Sequence, residues 1–179
     1  MLLTFVPCVC GLVNSSAALL HEHYMDSPTM CHALRCLHTF WRQSWARRRL
    51  LIEAALSLVV ARLGLALLSF RQLCWFLNRP LKQAEVTDAE RERLRQEVRW
   101  AIDMVTPYLP GKTVCFPRGM AAQAMLRRRR VGTMLYYGVA KLPEGGVTTH
   151  VWVQDGAQGV VGHCIAGQYT VLLRYPEVR

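Results

Sequence analysis

Cys115 stands two residues before Pro117 in Cys115-Phe116-Pro117-Arg118, and the run GMAAQAMLRRRR that follows reads as a helix ending around Arg130. Proline suits the first turn of a helix, because its missing N–H would have no partner there. The thiol therefore belongs near a helix N-terminus, where unpaired amides and the macrodipole favour the nucleophilic thiolate. A cysteine at a helix start is also commonly a buried structural thiol. His150 lies 35 residues downstream in the strand-like Thr149-His150-Val151-Trp152-Val153, and Asp155-Gly156 follows as a turn. Thiol, imidazole and acid are the parts of a cysteine–histidine–acid triad. In such a triad the imidazole takes the thiol proton and later protonates the leaving amine, while the acid holds the ring's orientation and tautomer. Asp155 is the only acid between Glu144 and Glu177, and its Asp-Gly setting is equally well explained as turn chemistry.

The elements needed to position these groups are legible upstream and downstream. Residues 46–80, beginning Ala46-Arg47-Arg48-Arg49, run helix-like to a stop at Pro80, and between Ala54 and Phe70 the only charge is Arg62. A membrane span needs roughly 20 apolar residues, but a central Arg costs about 2.5–3.5 kcal/mol on insertion scales. The stretch is therefore read as a helix buried on most faces, or one lying against a partner or a membrane surface. Next comes TDAERERLRQEVRWAIDMVTPYLP, where Thr87 with Glu90 forms a capping-box pattern. Leu94, Val98, Ala101, Ile102 and Val105 then recur at helical spacing until Pro107 ends the run. After the helix that Cys115 opens, VGTMLYYGVAK, TTHVWVQ, GVVGH and QYTVLLRYP read as strands punctuated by Pro143-Glu144-Gly145-Gly146 and Asp155-Gly156. Helices first, then one helix with an antiparallel sheet, is an α+β layout.

Composition bounds these readings. The chain has 179 residues, 22 Lys+Arg against 12 Asp+Glu, a formal charge of +10, and 52% hydrophobic residues. That is too apolar for a disordered chain and too short for two full domains. Residues 1–45 read as a poorly specified N-terminal extension and 46–179 as the folded domain. A basic surface favours acidic partners of any kind. Arg127-Arg128-Arg129-Arg130 complements the helix dipole and reads as a solvated face. Seven cysteines with no repeating CxxC pair argue against a disulfide framework. The apolar N-terminus lacks the positive n-region of a secretory signal, so the compartment is read as reducing and cytoplasmic. Cys31-His32 with Cys36 and His38 matches no familiar zinc spacing, and neither a metal nor a cofactor is expected.

Taken in order, these motifs resemble the B2-type transglutaminase-like cysteine peptidase, the B protein, of lasso peptide biosynthesis. The resemblance rests on Cys115-Phe116-Pro117-Arg118 with its Arg-rich helix end, His150-Val151-Trp152-Val153 before Asp-Gly, and the closing Leu172-Leu173-Arg174-Tyr175-Pro176. Upstream, Phe70-Arg71-x-Leu73 and Leu77-x-Arg79-Pro80 extend it over residues 46–179. It implies a papain-like, transglutaminase-like fold and removal of the leader from a ribosomally made precursor peptide. Cys115 would be the nucleophile, His150 the general base and Asp155 the candidate acid. The resemblance also implies a separate winged-helix-like leader-recognition protein and a macrolactam synthetase as partners, with no nucleic acid. The family's acid belongs to the strand after the histidine strand, where this chain has Gly162-His163. The competing reading is a basic, non-catalytic binding or scaffold module for nucleic acid, a membrane surface or the synthetase.

Overall fold

The computed structural model describes residues 40–78, 86–109, 115–143 and 145–176. Most of the N-terminal extension, with Cys31, His32, Cys36 and His38, lies outside them. The chain divides into two compact units, one of residues 9–49 and one holding residues 50–179. In the described part of the first, the Arg48 guanidinium lies over the Trp41 ring, 5.3 Å from its centroid.

Helix α1 (Trp45–Leu67) buries Leu50, Ala54, Leu58 and Ala61. That spacing makes a single stripe down one side of the helix. Ile52, Leu56, Val59, Val60, Leu63 and Leu67 stay exposed, so the expectation of burial on most faces does not hold. By length and composition alone this helix is long and apolar enough to cross a membrane. In the turn before α2 (Phe70–Leu77) the Ser69 amide donates to Gln72 Oε1 at 2.9 Å. Helix α3 (Asp88–Val105) begins where the sequence indicates, with the Glu90 amide donating to the Thr87 hydroxyl at 3.3 Å. Val98, Ala101 and Ile102 are buried, and Leu94 and Val105 pack against the same core. A 3-10 turn over Thr106–Tyr108 accommodates Pro107.

Helix α4 (Cys115–Arg128) is followed by β1 (Met134–Lys141), β2 (Val147–Asp155), β3 (Gln158–Val161) and β4 (Thr170–Tyr175). The four strands form one antiparallel sheet in the order β3-β2-β1-β4. This is the α+β fold expected. Strand alternation directs Leu135, Val151 and Val153 toward α4, where they meet Gly119. Ala121, Ala122, Met125 and Leu126 of α4 complete that layer, all fully buried.

Side chains of α4 then tie the other elements in. Gln123 Nε2 donates to the carbonyls of Thr133 at 3.2 Å and Tyr175 at 2.9 Å. Arg127 donates to the carbonyls of Phe76 and Leu77, the C-terminal end of α2 that lacks helical donors. Arg128 and Arg129 both bond Glu53 of α1, at 2.8 and 2.6 Å. The arginine run is thus not a solvated face: three of its four members fasten helices together. The bond from Arg129 holds the Glu53 carboxyl below its usual range despite its burial. Cys74 and Cys115 are in no disulfide, whereas Cys164 is disulfide-bonded, so at that position the expectation of a chain without disulfides does not hold.

The depth at which α4 sits is set at Gly119, where an added Cβ would stand 2.8 Å from Val151 Cγ1. Gly119→Ala gains about 1 kcal/mol of helix propensity but overpacks a rigid β-branched neighbour, which costs about 1–3 kcal/mol. We expect net destabilisation in urea unfolding, relieved when Val151→Ala is combined with it. Additive losses in that double-mutant cycle would show that the helix is not seated at this contact.

Candidate active site

Cys115 is the first residue of α4 and is half-buried against the core. Its turn is anchored to the sheet at two points. The Phe116 ring meets that of Tyr137 at 6.3 Å, and Gly119, about 6 Å along the helix from Cys115, rests on Val151. Tyr137 and Val151 are register partners. The thiol-bearing turn is therefore built against the sheet face that carries Tyr137 and Val151.

His150 is only 1% exposed. Its ring sits between that of Trp152, centroids 6.0 Å apart and planes at 17°, and that of Tyr169 at 5.1 Å. Nε2 lies 2.7 Å from the main-chain oxygen of Gly162, while Nδ1 is buried with no hydrogen-bond partner. The thiol and Nδ1 are accordingly not hydrogen-bonded in this structure. Alternation places His150 and Trp152 on the sheet face opposite Val151 and Val153, and the charge of Arg118 on α4 still acts on the ring. Arg118 itself pairs with Asp103 of α3. Burial, foremost, and the Arg118 charge push the imidazole pKa below its ordinary value; the Gly162 carbonyl works in the other direction. His150 is thus held neutral, with one nitrogen tied and the other bare.

Asp155 is in a different place. Five residues from His150, it lies on the opposite face and about 16 Å further along the strand. Its carboxylate is bonded by Arg95 at 2.6 Å and approached by Arg91 at 3.4 Å, both from α3. The structure therefore corrects the expected role: Asp155 does not orient His150 but anchors α3 to the end of β2. Arg95 also bonds Glu92, and these two acids raise its pKa against the opposing effect of its burial. Residue spacing did not point to Gly162, Tyr169 or Arg118. Of the three, only Gly162 carried a sequence signal, since it falls where the resemblance calls for an acid.

A thiol on the first turn of a helix, set on an antiparallel sheet that buries a neutral histidine, defines an α+β fold of thiol–imidazole type. A family model for the transglutaminase-like superfamily matches residues 55–174, more than half the chain. The chain belongs to that superfamily, which includes cysteine peptidases. Neither the curated proteins nor the solved structures give a match.

Removing Asp155 would leave Arg95, whose side chain is 12% exposed, without its buried partner. Breaking a buried pair from one side costs about 3–5 kcal/mol. Asp155→Ala should lower unfolding stability by about 3 kcal/mol, read as a reduced urea midpoint at unchanged slope. A shift below about 0.5 kcal/mol, the size typical of exposed surface changes, would mean that the pair does not hold α3.

Proposed function

We propose that this protein is a cysteine peptidase that removes the leader from a ribosomally made precursor during lasso peptide maturation. In this reading it acts with a separate leader-recognition protein, and a macrolactam synthetase then closes the freed amine onto a side-chain carboxylate. The observation that carries the peptidase reading is the bare, buried Nδ1 of a neutral His150, on the strand whose other face seats the helix that Cys115 opens. A neutral imidazole with an unengaged nitrogen is the protonation state a general base needs.

Nδ1 takes the Cys115 thiol proton as the sulfur attacks the scissile carbonyl carbon, forming a C–S bond and an oxyanion. The positive end of the α4 dipole favours both anions. Collapse breaks the C–N bond, and the proton on Nδ1 passes to the departing amine, which becomes the new N-terminus of the core peptide. Water, deprotonated by Nδ1, then cleaves the thioester, releasing the leader carboxylate and restoring the thiol. Because apo geometry is commonly looser than that of the reacting complex, the thiol and Nδ1 close on each other when the precursor is seated.

Incubation with the precursor and the leader-recognition protein should yield two fragments by mass spectrometry. Cys115→Ala should abolish them, and His150→Ala should slow their formation by about a thousandfold, within the range of a lost general base. Full cleavage by Cys115→Ala would end the peptidase reading, and salt-sensitive nucleic-acid binding without cleavage would favour the binding module instead. A base whose pKa is depressed stays unprotonated to lower pH. The acidic limb of kcat/KM should therefore fall below pH 6.5, the ordinary imidazole value, and a limb above it would contradict the assigned environment.

A further inference from the structure

A neutral imidazole has one protonated nitrogen and one with a free lone pair, and the group that binds one nitrogen decides which is which. A main-chain carbonyl can only accept. With Gly162 O 2.7 Å from Nε2, the proton belongs on Nε2 and the basic lone pair on Nδ1. Among the described residues no carboxylate is hydrogen-bonded to the ring, and Asp155 is committed to Arg91 and Arg95.

We infer that the Gly162 main-chain carbonyl is the group that orients His150 and selects its tautomer, so that Cys115 and His150 work as a dyad without a carboxylate. The inference rests on the assignment of Cys115 and His150 made above. Gly162 is a positioning residue, acting through the imidazole.

The surroundings are built for this bond. Gly162 has φ of +70°, in the left-handed region, and a Cβ there would lie 2.7 Å from Val151 O and 3.1 Å from His150 Nε2. Only glycine meets both demands. The residue also opens the 3-10 turn His163–Gln168, and directly after that turn comes Tyr169, whose ring covers the imidazole. One short segment therefore supplies both the acceptor and the lid of the ring, while Trp152 supports it from within β2. During turnover Nε2 keeps its proton and Nδ1 alone exchanges one. A carbonyl dipole stabilises the imidazolium less than a full carboxylate charge would.

The test uses the full chain labelled with 15N-histidine. Long-range 1H–15N correlation spectra, with His150 assigned through His150→Gln, should show the neutral ring protonated at Nε2; protonation at Nδ1 overturns the inference. Carbamidomethylation of Cys115 by iodoacetamide, followed at its own peptide by mass spectrometry, gives a second readout that needs no precursor. Gly162→Ala should slow it at least tenfold, and Asp155→Asn, compared at a temperature where it remains folded, should change it less than threefold. A tenfold loss in Asp155→Asn with none in Gly162→Ala would return the role to the acid. If labelling is unaffected by His150→Gln, the nucleophile assignment fails, and the tautomer measurement still decides who holds the ring.

Discussion

The close approach of α4 to the sheet at Gly119 is the constraint on which the other placements depend. A side chain there would collide with Val151, so its absence lets the helix settle deep enough for neighbouring groups to reach their partners. The row Cys115, Gly119, Gln123 and Arg127 climbs α4 at four-residue spacing, along one side of the helix. Each member has a separate task. The first presents the thiol, the second seats the helix, and the third binds the carbonyls of Thr133 and Tyr175. The fourth completes the end of α2. Lifting the helix would lengthen the Gln123 and Arg127 bonds and shift the Cys115 turn relative to β2, the strand that carries His150.

Five of the 22 basic side chains join elements of this framework. Arg91 and Arg95 hold Asp155, Arg118 holds Asp103, and Arg128 and Arg129 hold Glu53. Such pairs add little net stability over apolar packing, yet removing one partner is costly. Their effect is to define which helix lies against which strand. The net charge of +10 is the excess left once every acid is counted, so the basic surface comes from arginines and lysines other than these.

Legibility in the sequence followed the range of the determining interaction. Helix α3 announced itself through Thr87 and Pro107, and the β2–β3 hairpin through Asp155-Gly156, because caps and turns are set by residues a few positions apart. Cys115 and His150 were found because each sits in a distinctive local pattern. The face that α1 buries was not legible, since a helix apolar all round has no phase to read. Nor were the partners of Arg128 and Arg129, which lie on a helix more than 70 residues away in sequence. Asp155 was misjudged for the same reason: its partners arrive from α3, 60 and 64 residues upstream.

The parity of β2 explains why the nearest acid in sequence is the wrong one for the histidine. Val151, Val153 and Asp155 share the face that receives α4 and α3, whereas His150 and Trp152 share the other. An odd separation from His150 therefore commits a side chain to holding helices, whatever its chemistry. What returns to the histidine's face is the chain itself, because the hairpin folds back and pairs Val153 with Val161. The next residue, Gly162, arrives beside the ring with its carbonyl already aimed at Nε2. A backbone acceptor can come from any residue type, but the positive φ and the tight contact there admit only glycine. Hence the sequence mark of the group that holds this imidazole is a glycine and not a carboxylate.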